Sequence, residues 1–360
     1  MNDSLYITAI KLAHNDKECL ADKAGVQTLL QMIAEGQLES VNHIFSLIYI
    51  NLKSHGLLCD LPKHHQLKLK NKYMYLMARQ MNQDNWLRQS SVQLKQDNIK
   101  CILLKGSCFN YYIYTNDAPR VGSDIDLLVQ EQDFNSVCGL LGETMESVDT
   151  QGSIKTSHSS FFEKTFISKN DVTLTVDVHC ALTNPFIFNI DHDEIWDRVI
   201  LHPAFEKEKF YMMSPEVNLL HLAVHGFRDL SFVNHNTLDA HELFCKSDID
   251  YDELLKTATQ WGAKSVLFWL LFYSKHILKT PIKNDFLLEL QPRLIKYHVG
   301  KMLSTNKKML QNDEGLAGLI RTRMRQILAQ FFMTDKLMQG VKFQRYYLMN
   351  AVQYGIKNYN

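Results

Sequence analysis

The sequence has no excess of either charge. Its 360 residues include 39 lysines and arginines and 39 aspartates and glutamates, so the formal net charge is zero. Proteins that bind nucleic acid or a membrane surface over a broad face usually carry a basic excess. The balance therefore favours a small molecule or a protein as partner, and we expect neither specific nucleic-acid binding nor membrane association.

The chain also lacks paired cysteines and a long apolar run. Its seven cysteines are scattered, without a Cys-x-x-Cys pair, which is typical of reduced thiols. The longest apolar run, Val266 to Tyr273, is far shorter than the roughly 20 residues that a spanning helix needs. The chain does not open with a basic and then apolar signal segment. We therefore expect a cytoplasmic protein without a membrane span.

Internal repeats and low-complexity linkers are absent as well. The length and the 46% hydrophobic content suit one core with helical additions. Between Pro62 and Asn98 there is neither proline nor glycine, which predicts a long helix or two. An apolar stripe made of Leu67, Met74, Met77, Met81 and Leu94 is expected to face the core. The polar stretch 142–156, with two glycines and several serines and threonines, predicts a loop, and the pattern is again helical from Asp250 onward. We predict a helical region over 1–97, a core over 98–210 and a helical domain over 211–360.

Two strands predicted in the middle of the chain adjoin polar residues. One covers residues 99–104 and is followed by Lys-Gly-Ser; the other opens with Asp124 and Asp126. Side chains alternate along a strand, so these two carboxylates would share a face, with their Cα atoms roughly 6.6 Å apart. Carboxylates this close repel unless a cation lies between them, and Mg²⁺ (or Mn²⁺) takes such oxygen ligands together with substrate phosphates. The pair therefore predicts a metal site.

The Lys-Gly-Ser segment supplies features of a phosphate site. Gly106 lets a phosphate approach the backbone closely, Lys105 offers a positive charge and Ser107 a hydroxyl. A helix is expected over 107–114. Phosphate-binding groups beside a pair of carboxylates indicate a site for nucleotide phosphates.

A third carboxylate follows in the strand predicted over 172–179. Its alternation places Thr175, Asp177 and His179 on one face and apolar residues on the other. If this strand lies beside the Asp-Ile-Asp strand, Asp177 completes a cluster suited to two metal ions roughly 3.5–4 Å apart. For His179, metal binding, orientation of Asp177, substrate contact and a bond to a neighbouring carbonyl all remain open.

These motifs resemble those of the nucleotidyltransferase superfamily of the DNA polymerase β type, and more narrowly its bacterial family of uncharacterised nucleotidyltransferases. The resemblance covers about residues 65–250. It rests on Lys105-Gly106-Ser107, Arg120, Asp124 to Val129, Val176 to His179, Val217 to Gly226 and Thr237 to Leu243. The spacing between Ser107 and Asp124 is longer than in most of the superfamily, and we expect 116–120 to form a loop over the site.

The resemblance implies an α+β fold, in which a nucleotidyltransferase core with a small mixed sheet lies between N-terminal and C-terminal helical regions. It implies catalysis and metal binding by three acids: Asp124, Asp126 and Asp177. The expected nucleotide-binding residues are Lys105, Gly106, Ser107, Arg120 and Ser123. The expected acceptor-side or supporting residues are His179, His225 and Asp239.

The reaction that these residues predict is Mg²⁺-dependent transfer of a nucleoside monophosphate from an NTP, such as ATP, to a hydroxyl of a small-molecule or protein acceptor, with release of pyrophosphate. Three alternatives remain open: a nucleotide-sugar donor, a toxin-type protein and an inactive nucleotide-binding protein of the same fold. His221 and His225 have the spacing of a zinc-protease pair, but Leu222 stands where that motif requires a glutamate.

Overall fold

The computed structural model describes residues 3–115, 117–148, 162–184, 187–228, 232–305 and 316–345. A seven-stranded mixed sheet forms its centre, in the order β3-β4-β5-β2-β1-β7-β6. The strands are β1 (Cys101–Leu103), β2 (Ile125–Val129), β3 (Met145–Ser147), β4 (Glu163–Ser168), β5 (Thr175–His179), β6 (Ile200–Leu201) and β7 (Phe210–Met212).

Helices precede, interrupt and follow this sheet. Before it lie α1 (Asp3–Ala13), α2 (Lys17–Ala21), α3 (Lys23–Ala34), a 3₁₀ helix (Glu39–Ile44), α4 (Phe45–Ser54) and α5 (Lys63–Gln96). Between the strands lie α6 (Lys105–Phe109), α7 (Glu131–Thr144) and α8 (His192–Asp197). After it come α9 (Pro215–Arg228), α10 (His235–Lys246), α11 (Tyr251–Trp261), α12 (Lys264–Leu278), α13 (Asn284–Leu290), α14 (Leu294–Thr305) and α15 (Leu316–Phe332). The expected α+β core with flanking helical regions is confirmed. In the described residues, each helix is too short or too polar to cross a bilayer.

Strand β2 lies at the centre of the sheet. It pairs antiparallel with β1 and parallel with β5. All five of its residues are buried, which suits an interior strand whose two faces are both covered. The parallel register places Asp126 opposite Asp177, so the strand predicted to carry the third acid does lie beside the strand that carries Asp126.

Three local expectations were wrong. The helix expected over 107–114 is α6, which ends at Phe109 because the amides of residues 112–114 all bond to the Phe109 carbonyl in a tight turn. Residues 145–147, expected in a loop, form β3 because they pair with β4, a long-range contact that overrides their polar composition; residues 149–161 lie outside the described residues. Asp124 precedes β2 rather than opening it.

Helix α5 is one helix of 34 residues, and its buried face differs from the expected one. Leu94 of the expected stripe is buried, but Leu67, Met74 and Met81 are exposed. The rest of the face that packs is built from Leu69, Leu76 and Leu87 together with polar His65, Gln80, Gln83 and Ser91. Of these polar groups, Gln83 meets the loop before β2, since its amide nitrogen lies 3.4 Å from the carbonyl oxygen of Gly122. The helix therefore supports that loop with a hydrogen bond.

Helix α12 forms the centre of the C-terminal helices. Eleven of its fifteen residues are buried, including Trp269 and Leu270, which are fully enclosed. A cavity left by truncation here cannot collapse easily, since the surrounding side chains belong to several helices.

We predict that Leu270→Ala lowers the free energy of unfolding by about 2–5 kcal/mol. Leu288→Ala on the neighbouring α13 is the matched control, because Leu288 is 65% exposed; its effect stays within about 0.5 kcal/mol. Urea denaturation measures both values, and equal losses would contradict the buried placement of α12.

His43 in the 3₁₀ helix is a half-buried titratable group beside the loop before β2. Its Nδ1 lies 3.3 Å from the carbonyl oxygen of Val121. Burial, followed by the positive charge of Arg120, lowers the pKa of His43 to about 4. Arg79 and Lys105 add smaller effects in the same direction. Because an unfolded histidine binds its proton near pH 6.5, acid favours the unfolded chain between pH 6.5 and about 4.

We therefore expect the melting temperature to fall as the pH is lowered from 7 towards 4. In His43→Asn this fall should be smaller, because the asparagine amide can still donate to the Val121 carbonyl but does not titrate. Thermal melts at half-unit pH steps measure the effect. The exposed His64 is the control: His64→Asn is expected to follow the wild-type profile, and a His43→Asn profile parallel to wild type would overturn the assignment.

Candidate active site

Two carboxylates meet at the centre of the sheet because β2 and β5 are in parallel register. Asp126 on β2 lies opposite Asp177 on β5, and His179 follows two residues later on the same strand. All three side chains are buried. The donor atoms of Asp126, Asp177 and His179 all lie within 4.8 Å of one another. Sequence alternation thus predicted three residues that the register brings together.

Asp126 has two positive or proton-donating neighbours. Lys105 Nζ lies 2.9 Å and His179 Nε2 lies 3.1 Å from the same oxygen, Oδ1. Burial works to raise the pKa of Asp126, but Lys105 and His179 together hold it well below its usual range. Lys105 reaches this position from the first residue of α6, where its backbone has a positive φ of 47°. Asp126 is therefore ionised in the folded protein.

Asp177 is compensated less well, because a hydrogen bond from Thr165 and the charge of His179 lower its pKa by less than its surroundings raise it. Among the residues that the structure describes, its buried Oδ1 has no hydrogen-bond partner. Burial, then the charges of Asp124 and Asp126, raises the pKa of Asp177 to about 6. A buried carboxylate oxygen without a partner is costly, and a divalent cation would relieve both the lost hydration and the repulsion. The donor set fits Mg²⁺ or Mn²⁺, with the imidazole of His179 better suited to Mn²⁺.

Asp124 lies at the margin of this cluster. It is only half-buried, and its Oδ1 accepts a hydrogen bond of 3.0 Å from the exposed Ser123 hydroxyl. The guanidinium of Arg79, from α5, donates to the backbone carbonyl of Ser123. Burial and then the charge of Asp126 raise the pKa of Asp124. Asp124 is thus close enough to feel the other acids, yet it is not part of the group whose donors lie within 4.8 Å.

The turn at Gly106 is packed against Arg120. A Cβ at Gly106 would come within 2.7 Å of an Arg120 terminal nitrogen, so a larger residue here would displace the Arg120 guanidinium. Arg120 Nε lies 2.7 Å from Asp239 Oδ2 on α10, and both side chains are buried. Asp239 Oδ1 accepts a hydrogen bond of 2.7 Å from Tyr114. Asp239, which sequence reasoning placed on the acceptor side, thus holds Arg120 against the turn; the buried Ser107 lies on that same turn.

Helix α9 carries two histidines whose pKa values are influenced by the groups of the cluster. Burial lowers the pKa of His221 to about 3, and nearby Lys105 acts in the same direction. The pKa of His225 is likewise well below its usual range, first through burial and then through Lys105. Arg228 donates a hydrogen bond of 2.9 Å to His225 Nε2. Both histidines are therefore neutral, and the charges of Lys105 and Asp126 act on both of them.

Several side chains at the site were not predicted. Strand β4 pairs with β5 so that Glu163 lies opposite His179 and Thr165 opposite Asp177. Glu163 Oε2 lies 4.0 Å from His179 Nδ1 and 3.4 Å from Arg228. Glu163 and Thr165 lie two apart on β4, so pairing of that strand with β5 would have placed both beside the polar face of β5. Arg79 and Tyr114 left no such signal, because their roles depend on how distant helices pack.

Comparison with known proteins gives one match, to a family. No curated protein and no solved structure matches the chain. The family described as uncharacterised nucleotidyltransferase matches residues 31–279, which include the whole site described above. The chain therefore belongs to the family of uncharacterised nucleotidyltransferases.

Proposed function

We propose that the protein transfers a nucleoside monophosphate from an NTP to a hydroxyl of a small-molecule or protein acceptor. The observation that carries this proposal is the pairing of Asp126, which contacts Lys105, with Asp177, which keeps a buried oxygen without a hydrogen-bond partner among the described residues. Family membership supports nucleotidyl transfer as the reaction class. The zero net charge favours an acceptor other than nucleic acid.

Asp126, Asp177 and Asp124 would hold Mg²⁺. Bound there, the ion supplies neutralisation of the phosphate charge and makes the acceptor hydroxyl more acidic. His179 keeps Asp126 oriented through its 3.1 Å contact. The chain itself thus supplies three carboxylates on two adjacent segments and a neighbouring imidazole.

Asp177 is the proposed general base. A carboxylate whose pKa is about 6 is a better proton acceptor than an ordinary aspartate and is still mostly ionised at neutral pH. It takes the proton of the acceptor hydroxyl as the acceptor oxygen bonds to the α-phosphorus. The bond from that phosphorus to the bridging oxygen breaks, and pyrophosphate leaves with the electron pair.

Lys105 and Gly106 form the proposed phosphate contact. Lys105 neutralises Asp126 in the free protein, and we propose that its ammonium turns to the phosphates when a nucleotide binds. Gly106 lets a phosphate approach the backbone, and Ser107 and Ser123 offer hydroxyls. Arg120, held by Asp239, fixes the shape of the turn and adds positive charge beside it.

We predict that Asp126→Asn and Asp177→Asn each lower the rate of pyrophosphate release at least about 100-fold, because each removes a carboxylate that acts on the reacting groups. A thermal-shift screen of ATP, CTP, GTP and UTP with Mg²⁺ first identifies the donor, since a ligand that binds the folded state raises the melting temperature. Asp97→Asn, on an exposed residue at the end of α5, is the control. Undiminished turnover in Asp177→Asn, or release of a nucleoside diphosphate in place of pyrophosphate, would refute the mechanism.

Lys105→Gln is predicted to have opposite effects on two ligands. Without the competing ammonium at Asp126, Mn²⁺ alone binds more tightly, whereas the NTP binds more weakly because a phosphate contact is lost. Electron paramagnetic resonance measures free Mn²⁺, and calorimetry measures nucleotide affinity. Lys100→Gln, an exposed change just before β1, should alter neither. Weaker binding of both ligands in Lys105→Gln would show that the lysine does not exchange partners.

A further inference from the structure

A second group of metal-binding side chains lies away from the sheet, between α1 and α10. His14 follows α1, and His241, Glu242 and Cys245 lie on α10. Donor atoms of His14, His241 and Glu242 all lie within 4.8 Å of one another. The Cys245 sulfur is not part of this group, but it lies 3.5 Å from His241 Nε2. Residues 241 and 245 are four apart, so one helix face presents an imidazole and a thiol to the end of α1.

The separations match the edges of a zinc tetrahedron. With Zn–N and Zn–O bonds of about 2.0–2.1 Å and a Zn–S bond of about 2.3 Å, tetrahedral ligands lie about 3.4 Å apart for nitrogen and oxygen and about 3.5 Å for nitrogen and sulfur. His14 Nδ1 lies 3.4 Å from Glu242 Oε1, and His241 Nε2 lies 3.5 Å from Cys245 Sγ. Two of the six edges of a tetrahedron are thus already present.

The protonation of His241 can be deduced from its other ring nitrogen. One assignment of donors satisfies all three contacts of this chain of groups: Ser274 donates to the Thr237 carbonyl, at 3.3 Å, and accepts from Thr280, at 2.5 Å, while Thr280 accepts from His241 Nδ1, 2.9 Å away. In this assignment the proton is on Nδ1, and Nε2 is free to accept from Cys245 or to bind a metal. Buried hydrogen bonds of this kind orient histidine ligands of metals.

The remaining contacts hold the other two ligands. Lys246 Nζ lies 2.8 Å from Glu242 Oε2, which leaves Oε1 turned to His14. The side-chain amide of Asn51 on α4 donates to the carbonyls of residues 12 and 13, at 2.9 and 2.8 Å, and so fixes the end of α1 that carries His14. Cys245 is exposed, and its thiol can lose its proton on metal binding.

We propose that His14, His241, Glu242 and Cys245 bind one Zn²⁺ ion that fastens α1 to α10. Imidazole, thiolate and carboxylate ligands together favour Zn²⁺ over Mg²⁺. Four protein ligands leave no open position, so the ion is structural. This site does not depend on the proposed transferase activity, and none of its residues takes part in that mechanism.

The test uses the full chain, stripped of metal with a chelator and titrated with Co²⁺ alone. Cobalt replaces zinc in tetrahedral sites and gives a thiolate charge-transfer absorption. We expect this band to saturate at one equivalent, to disappear on adding Zn²⁺, and to be lost in Cys245→Ser. His14→Asn weakens cobalt binding at least about tenfold, because removing a residue that only supports a ligand already costs about 10–100-fold in metal affinity. Cys59→Ser, at another exposed thiol, keeps the band.

Absence of the band in the wild type, or its survival in Cys245→Ser, would overturn the zinc site. The melting temperatures of metal-free His14→Asn and Cys245→Ser are measured to check that both variants fold, and they are expected to equal that of the metal-free wild type. The two residues belong to different segments, so one variant suffices if the other fails to fold. Asp126→Asn keeps the band, which separates this site from the carboxylates of the sheet.

Thr280 is a positioning residue in this proposal. Thr280→Val removes the acceptor for His241 Nδ1 and weakens cobalt binding about 10–100-fold without removing the thiolate band. Thr280→Ser keeps the acceptor and restores the affinity. Equal affinities in Thr280→Val and the wild type would refute the deduced role of Thr280.

Discussion

The repulsion between two buried carboxylates is the constraint on which the rest of the site depends. Parallel pairing of β2 with β5 places Asp126 directly opposite Asp177 in the interior of a sheet, where an unpaired charge is costly. The structure compensates the two acids unequally. Asp126 has Lys105 and His179 on one oxygen, whereas Asp177 keeps a buried oxygen without a partner among the described residues and a raised pKa. One acid is thus held ionised, and the other is poised to bind a cation or to exchange a proton.

The helices around the sheet hold this arrangement in place. Lys105 can reach Asp126 because the chain turns at Gly106 with no side chain to clash with Arg120. Arg120 is in turn held by Asp239, a residue of α10 that lies far away in the chain. Helix α5 adds support through Arg79 and Gln83, which bond to backbone carbonyls of the loop before β2. The flanking helices therefore form part of the site, since they fix the loop that carries Asp124.

Much of the site could be predicted from sequence, because the alternation of side chains along a strand is a local property. The polar residues of β5 share one face, which was enough to group Asp177 with His179, and their neighbour Asp126 needed only the assumption that β5 lies beside β2. Helix packing was harder to predict. The exposed Met74 and Met81 show that apolar content alone does not identify the buried face of a long helix when the partner segment accepts hydrogen bonds. The Arg120–Asp239 pair joins residues over 100 positions apart, and no local pattern reports such a contact.

Helix α10 connects the two polar clusters of the molecule. Residues two apart on a helix point to nearly opposite sides, at 100° per residue. Asp239 accordingly faces Arg120 and the turn at Gly106, while His241 faces the end of α1. A zinc ion bound by His241 and Cys245 would restrain the rotation of α10 about its own axis, and this rotation sets the position of the Asp239 carboxylate. The fold thus offers a physical route by which a metal at the surface stabilises the turn that is proposed to receive the phosphates.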